Sequence, residues 1–288
     1  MLFQTLASGV TAGSIYALVA LAFVLIYKGT GVVNFGQGEQ VMLGAYLALV
    51  FHTFAGLPFA AAVGLALALA GAFGLLIQAA VLRRIAASPA LTKIIATLAV
   101  GLIVREGVRA LLGPNAYPFP FLLSPAPLRV GGVLVTPANV AIVLVALAVM
   151  AAFYAFFRYS RLGKALRAAC ENPVGASLVG VSVPFVFGTI WVLGSVLAGL
   201  AGILLAPLVT LTPDMGLVAI KGWVAAVVGG FTSLPGAVLG GVVLGVIETV
   251  SGSYVSTALK DGVTYLLLIA ILALRPRGLL ERPVVKKV

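Results

Sequence analysis

The feature that most constrains this chain is a succession of long apolar runs, separated by short segments that hold nearly all of its charge. About 20 consecutive apolar residues cross the roughly 30 Å hydrocarbon core of a bilayer as an α-helix. Only 9% of the residues are charged, whereas a soluble domain averages about 25%. The sequence therefore predicts an all-α integral membrane protein, a polytopic helical bundle in one domain (1–288). The uninterrupted runs are Leu6–Tyr27, Phe59–Leu82, Ile94–Leu112, Ala138–Phe157, Pro184–Ala206 and a final span, Gly262–Leu274.

Two further apolar stretches are interrupted and do not fit single straight helices. Gly29–Glu39, GTGVVNFGQGE, is rich in glycine and polar residues, and the apolar run after it, Gly38–Phe51, is short for a span. Gly216–Val250 is apolar but contains Gly229-Gly230 and the turn sequence Ser233–Gly236, which favours two helices meeting at a turn. Non-helical backbone at membrane depth is tolerated only where protein buries it or where it lines a cavity. We expect broken or re-entrant segments here, and eight or nine membrane helices in all.

The basic residues predict the orientation, because lysine and arginine accumulate in cytoplasmic loops. With the amino end outside and alternating spans, Arg129, Lys221 and Lys260 fall in outer segments. The carboxyl end is then cytoplasmic, and Gly216–Val250 either crosses twice or dips in and returns; the charges leave both open. In this arrangement 13 of the 18 lysines and arginines are in inner segments: Lys28, Arg83, Arg84, Lys93, Arg158, Arg161, Lys164, Arg167, Arg275, Arg277, Arg282, Lys286 and Lys287.

The longest polar interval, 113–137, is predicted as an extracytoplasmic loop. It contains six prolines and the run LRVGGVLV. That run favours a small β-hairpin that turns at Gly131-Gly132.

Polar residues accumulate in mid-chain between positions 158 and 183, RYSRLGKALRAACENPVGASLVGVSV. Its basic residues recur at helical spacing, and Pro173 ends or bends the helix. We interpret it as a short helix at the cytoplasmic membrane surface, offered to a partner protein. The alternative is that its basic residues only anchor the neighbouring span to anionic headgroups.

Three motifs, in order, resemble one family. GSIYALVALAFVLIYKGTGVVNFGQGEQVMLGAY resembles the opening of the LivH/LivM-type permeases of branched-chain amino acid ABC importers, and favours the LivH-like member. SRLGKALRAACENPVGASLVGVSV resembles their cytoplasmic loop, and AVVGGFTSLPGAVLGGVVLGVIE their glycine-rich late segment. The resemblance implies a multi-pass inner-membrane subunit that moves branched-chain or other neutral amino acids by alternating access. The implied partners are a homologous second permease, two ATPases that bind ATP and magnesium, and an extracytoplasmic solute-binding protein.

The resemblance also assigns roles to residues. The loop at 161–181 is implied to be a coupling helix that docks on the ATPase, through Arg161, Lys164, Arg167, Glu171, Asn172, Ala176 and Gly180. Polar residues at breaks or within spans are candidates for the translocation pathway: Asn34, Gln37, Glu39, Arg105, Glu106 and Ser233.

Each pathway candidate also has a structural interpretation. Asn34 is alternatively the N-cap of a helix that carries Glu39 in its first turn. Arg105 and Glu106 lie in the outer half of their span, where ionisable groups are usually paired, and Glu106 is placed to bridge Arg109. The glycines after Gly229 are expected to serve close helix packing, including a GxxxG pair, Gly241 and Gly245.

Several function classes are disfavoured. One histidine, one cysteine and scattered acids assemble no catalytic triad or metal cluster, so we expect neither an enzyme nor a metal site. The chain has no GxxxxGK[ST] motif, so we expect no bound ATP or other cofactor. Its basic residues flank spans instead of forming a face interleaved with aromatics, which disfavours a nucleic-acid partner and favours a lipid bilayer. The open alternatives are an ion-coupled secondary transporter and an ABC permease for urea or amides.

Overall fold

The computed structural model describes residues 2–119, 128–130, 133–275 and 278–280. α2 and α3 each continue as a short π-helix, over Val50–Phe54 and Ile77–Leu82. Short 3₁₀ turns at Met215–Leu217 and Thr257–Leu259 precede α9 and α11. The elements, in chain order, are α1 (Leu2–Thr30), α2 (Gln37–Leu49), α3 (Phe59–Leu76), α4 (Ala90–Leu112), β1 (Leu128–Val130), β2 (Val133–Val135), α5 (Pro137–Tyr159), α6 (Arg161–Glu171), α7 (Pro173–Leu178), α8 (Val183–Leu205), α9 (Val218–Gly229), α10 (Leu234–Tyr254) and α11 (Lys260–Leu274).

Six helices among the described residues are long and apolar enough to cross a membrane, so the chain is a multi-pass helical membrane protein. α4 carries four charged residues and is not among the six, and α2 and α9 are shorter. The count of eight or nine membrane helices and the re-entrant segments therefore stay predictions. The six are Leu2–Thr30, Phe59–Leu82, Pro137–Tyr159, Val183–Leu205, Leu234–Tyr254 and Thr257–Leu274.

α1 is the centre of the bundle and packs antiparallel to α10 along its length. A methyl group on Gly245 would overlap the backbone of Gly13, and one on Gly241 would overlap that of Ala17. Only glycine lets two helix backbones approach this closely. The packing role predicted for Gly241 and Gly245 is confirmed.

α8 is the second central helix and runs antiparallel to α1, since Gly29 lies against Ile190 and Gly194 lies against Ile26. α3 packs antiparallel on α8, where a methyl group on Gly74 would overlap the side chain of Ser195. α3 thus packs on α8 in the way that α10 packs on α1. The second pair runs in the opposite direction to the first, because α1 and α8 are antiparallel.

Both central helices are followed by a break and then by a shorter helix, as the sequence predicts for the first of them. α1 ends at Thr30, and Gly31 takes a left-handed conformation, with φ of 66°. α8 ends at Leu205, and α9 begins at Val218 after a loop and the turn at Met215–Leu217.

α9 and α10 are separated by a tight turn. α9 ends at Gly229, α10 begins at Leu234, and Gly230 between them has φ of 109°. The prediction of two helices within 216–250 is confirmed.

The two halves of the bundle share a glycine pattern. α2 carries Gly38 and Gly44, and the turn before α9 and α9 itself carry Gly216 and Gly222, with the same spacing. Gly44 packs on the backbone of α8, and Gly222 packs on α1. α1–α4 and α8–α11 therefore form two units of opposite direction, an arrangement seen in many transporters.

β1 and β2 pair antiparallel in the register that the sequence predicts, with Val130 opposite Val133. The turn itself, Gly131 and Gly132, lies outside the described residues. The loop between α4 and α5 is also joined to the loop after α8, because Tyr117 and Leu211 exchange two backbone hydrogen bonds, at 2.9 and 3.1 Å.

Candidate functional site

The amino end of α2 lies beside α4, within the bundle. The backbone nitrogen of Phe35 donates to Oγ1 of Thr97 in α4, at 3.2 Å. A methyl group on Gly36 would lie 2.6 Å from the carbonyl oxygen of Thr97. The break between α1 and α2 is therefore held inside the bundle, against the first half of α4.

The amino end of α9 meets the amino end of α2 at this same point. A methyl group on Gly216 would lie 2.8 Å from the carbonyl group of Gly38, and one on Gly38 would overlap the carbonyl oxygen of Gly216. From this contact α2 runs along α4, while α9 runs along α1 towards the ring contact between Tyr27 and Phe231. Two interrupted helices thus start from one place and leave it in opposite directions.

Side chains satisfy the backbone at the break. Oδ1 of Asn34 accepts from the nitrogen of Gly36 at 3.1 Å, and Nδ2 of Asn34 donates to Oε1 of Gln37 at 2.8 Å. Nε2 of Gln37 donates to the carbonyl oxygen of Gly194 in α8 at 3.2 Å. The N-cap of α2 is Gly36 and no side chain caps it, so the alternative that Asn34 is the N-cap is wrong, while Glu39 does lie in the first turn.

Glu39 and Arg105 form an ion pair between α2 and α4. The carboxylate is 9% exposed and the guanidinium side chain is 21% exposed. Nε of Arg105 is buried and has no hydrogen-bond partner among the described residues. A charge held this deep in a span requires a partner, and each side chain supplies it for the other.

The ion pair lines a cavity of about 380 Å³ where α2, α4 and α9 meet. The rest of the wall is apolar or backbone, so two opposite charges face one small, mostly apolar space. The lining residues are Phe23, Phe35, Gly38, Glu39, Leu98, Arg105, Gly216, Leu217, Ala219, Ile220 and Trp223.

Two other pathway candidates lie elsewhere. Glu106 is 57% exposed and pairs with Arg109 at 2.8 Å, which confirms the predicted bridge but places Glu106 off the cavity wall. Arg109 also reaches Asp214, at 3.2 Å, in the loop after α8. Ser233 is the N-cap of α10, where its hydroxyl accepts from the nitrogen of Gly236 at 3.1 Å. Of the six candidates, only Glu39 and Arg105 line the cavity. Asn34 and Gln37 lie at the adjacent break, bonded to each other, to Gly36 and to Gly194.

The segment predicted as a coupling helix forms two helices, α6 and α7. Ser160 caps α6 through the nitrogen of Gly163, and Asn172 caps α7 through the nitrogen of Gly175, both at 2.8 Å. α6 ends before Pro173, as the sequence predicts, and Pro173 is the first residue of α7. Ala176 is buried and Arg167 is half-buried, and the remaining predicted docking residues are exposed: Arg161, Lys164, Glu171, Asn172 and Gly180.

A second buried charge cluster was missed by the sequence analysis. Glu248 in α10 is 1% exposed, and its Oε1 lies 2.7 Å from Nζ of Lys221 and 3.1 Å from Nζ of Lys260. Lys221 also lies 2.8 Å from Asp261. Lys221 lies in α9 and not in a loop, and its assignment to the outer side stays a prediction. The available signal was a lone lysine and a lone glutamate within one apolar run, since isolated charges inside spans usually pair.

Another cavity, of about 270 Å³, lies where α3 and α8 approach α4. Arg83 and Lys93 line it, and no carboxylate does. It therefore lacks the paired opposite charges of the cavity at Glu39 and Arg105. No cluster of three or more metal-ligating side chains occurs within the described part of the chain.

Comparison with known proteins places these features in context. Residues 5–272 match the family model described as branched-chain amino acid transport system, permease component. The chain is 34% identical to the high-affinity branched-chain amino acid transport system permease protein LivH of Escherichia coli (strain K12), over 99% of this chain and 97% of that protein. It is 33% identical, with the same coverage, to the corresponding permease BraD of Pseudomonas aeruginosa. A probable LivH of Methanocaldococcus jannaschii is 30% identical over 92% of this chain and 88% of its own length. No solved structure matches the chain.

Proposed function

The chain belongs to the family of permease components of branched-chain amino acid transport systems, and on that premise we propose that it is the membrane subunit of an importer for branched-chain or other small neutral amino acids. The observation that carries the proposal is the cavity lined by Glu39 and Arg105. A free amino acid carries one positive and one negative group, and this cavity offers the complementary pair.

In the proposed complex the substrate exchanges partners with the ion pair. The guanidinium of Arg105 takes the carboxylate, and the carboxylate of Glu39 takes the ammonium group. Charge-assisted bonds of this kind are about twice as strong as neutral ones. The amino ends of α2 and α9 add partial positive charge beside the substrate carboxylate. Leu98, Ile220 and Trp223 supply an apolar wall for an aliphatic side chain.

The same cavity supports pairing with a second permease. It opens at the surface of the bundle, where Phe35, Leu217 and Ile220 are 40%, 54% and 43% exposed. In this proposal a homologous permease closes the open side, and the route for the substrate runs between the two subunits.

The proposed membrane arrangement has nine helices in the described part of the chain. The six long helices and α4 cross the bilayer, and α2 and α9 each cross about half of it from the contact between Gly38 and Gly216. α10 packs along α1 from the end near Tyr27 to the end near Gly9, which supports a half crossing by α9 followed by a full crossing by α10, over a re-entrant pair. The basic residues favour an outside amino end and a cytoplasmic carboxyl end in the inner membrane.

In the proposed importer, α6 and α7 receive energy from two ATPase subunits that bind ATP and magnesium, while this chain binds no cofactor and catalyses no covalent reaction. α7 and the residue after it expose Val174, Leu178 and Val179, at 70%, 83% and 79%, next to the charged end of α6. An exposed apolar patch rimmed by charged residues is typical of a protein interface. An extracytoplasmic binding protein delivers the amino acid at the opposite face.

The test is ATP-driven leucine uptake by proteoliposomes that contain the assembled importer. Arg105→Gln removes one charge-assisted bond, worth about 1.5–3 kcal/mol, so uptake at low leucine should fall between about 10-fold and 160-fold. Glu106→Gln is the matched control, since Glu106 is adjacent but lies off the cavity, and its uptake should be unchanged.

The same assay separates the alternatives. Uptake driven by an ion gradient without ATP would favour a secondary transporter. Urea uptake that exceeds leucine uptake would favour a urea or amide permease, which has no use for two opposite charges. Normal leucine uptake by Arg105→Gln would contradict the proposed substrate site.

A further inference from the structure

A third cavity lies at the membrane boundary, where α5, α6 and α10 meet. Its volume is about 530 Å³, within the range of ligand-binding pockets. Its walls are almost wholly apolar, and Leu21, Met150 and Phe157 at its inner side are buried. Tyr154 and Leu239 at its outer side are 62% and 49% exposed, so the cavity opens on the lipid-facing surface of α5 and α10.

Two arginines line the cavity at its polar end. Arg158 is in the last turn of α5, and Arg167 is on α6, which packs against that end of α5 through the contact between Gly163 and Phe157. Within the described part of the chain, Nε of Arg167 is buried without a hydrogen-bond partner, and neither arginine forms an ion pair with a carboxylate. Two unpaired guanidinium groups at the rim of an apolar space constitute a site for an anion with an apolar tail.

We propose that an anionic phospholipid occupies this cavity, with its phosphate on Arg158 and Arg167 and an acyl chain between α5 and α10. Charge complementarity selects the head group, because basic pockets between transmembrane helices at the cytoplasmic side bind anionic lipid head groups. The lateral opening selects a lipid over a soluble anion, because the apolar part is reached from the bilayer. The apolar walls favour an acyl chain over a head group alone, because a head group is polar.

The site goes beyond the transport proposal, because the binding of the lipid does not depend on what the chain transports. One end of the site is α6, and the lipid therefore fixes α6 to α5 and α10. If α6 docks on an ATPase, as proposed above, the anionic lipid content of the membrane sets how firmly that docking surface is held.

The test is binding of phosphatidylglycerol to the full chain in detergent, followed by native mass spectrometry. The double variant Arg158→Gln/Arg167→Gln should weaken binding by about fivefold for each arginine, on the order of 25-fold together. Leu239→Trp fills the lateral opening and should also weaken it. The matched control is Arg83→Gln/Arg84→Gln, which removes two basic residues from the end of another span and should leave this affinity unchanged.

Two comparisons identify the ligand. Phosphatidylcholine should bind at least about tenfold more weakly than phosphatidylglycerol, and inorganic phosphate at millimolar concentration should displace little of the lipid. Wild-type affinity in the double arginine variant, or equal affinity for phosphatidylcholine, would overturn the proposal. So would full displacement by inorganic phosphate with no effect of Leu239→Trp, because the site would then hold only a phosphate. A folding failure of the variants is excluded by an unchanged elution volume and an unchanged helical circular dichroism spectrum of the purified chain.

Discussion

The buried cluster around Glu248 gives a quantitative test of the packing between α9, α10 and α11. Among the described carboxylates, Glu248→Leu would leave Lys221 with Asp261, which is 66% exposed, and would remove the partner of Lys260, which is itself 39% exposed. Breaking a buried ion pair costs about 3–5 kcal/mol. Because Lys221 is 21% exposed and keeps one carboxylate, we expect the lower end, about 3 kcal/mol of the free energy of unfolding.

The assay is reversible unfolding in mixed micelles of increasing sodium dodecyl sulfate content, with the wild-type chain measured in parallel. The double variant Lys221→Met/Glu248→Leu should recover all but about 1 kcal/mol, because an apolar pair of similar volume replaces the charges. Asp261→Asn, which changes an exposed partner, should cost no more than about 1 kcal/mol. A Glu248→Leu chain within about 0.5 kcal/mol of wild type would refute the reasoning that this buried carboxylate stabilises the bundle.

Two further predictions address packing and the surface helices. Gly245→Ala should lower the free energy of unfolding by about 1–3 kcal/mol, because its methyl group would overlap the backbone of Gly13. Gly107→Ala, with no atom within 4 Å, should be neutral or stabilising by up to about 1 kcal/mol in the same assay, and equal effects of the two would contradict the α1–α10 contact. Burial raises the pKa of the Cys170 thiol in α6, so its thiolate forms at higher pH than in a free thiol. Its alkylation by iodoacetamide at pH 8 should therefore be slower than that of free cysteine, and an equal rate would contradict the burial of that face of α6.

The spans were predictable because length and apolar character alone decide them. Phe59–Leu82 agrees with its prediction at both ends, and Ala138–Phe157 and Pro184–Ala206 differ by one or two residues at each end from Pro137–Tyr159 and Val183–Leu205. The break before α2 was also predictable, since glycine and polar residues at Gly29–Glu39 have no favourable place in lipid.

The meeting of the two broken helices was not predictable in the same way. Gly38 and Gly216 are far apart in the chain, and neither segment has a sequence feature that identifies the other as its contact. The pairing of Glu39 with Arg105 was not predictable for the same reason. Glu106 and Arg109, which are three residues apart on one helix, were predicted as a pair. Local spacing fixes contacts within a helix, and tertiary packing fixes those between helices.

The substrate site is the part of the account on which the transport proposal depends, and a neutral replacement of its ion pair tests it directly. Glu39→Gln/Arg105→Met removes both charges together and so leaves no unpaired charge in the bundle. We predict that this variant unfolds within about 1 kcal/mol of wild type and still assembles with the ATPases, yet has lost ATP-driven leucine uptake by proteoliposomes. Uptake at the wild-type rate would contradict the account, because the pair would then serve only to hold α2 on α4.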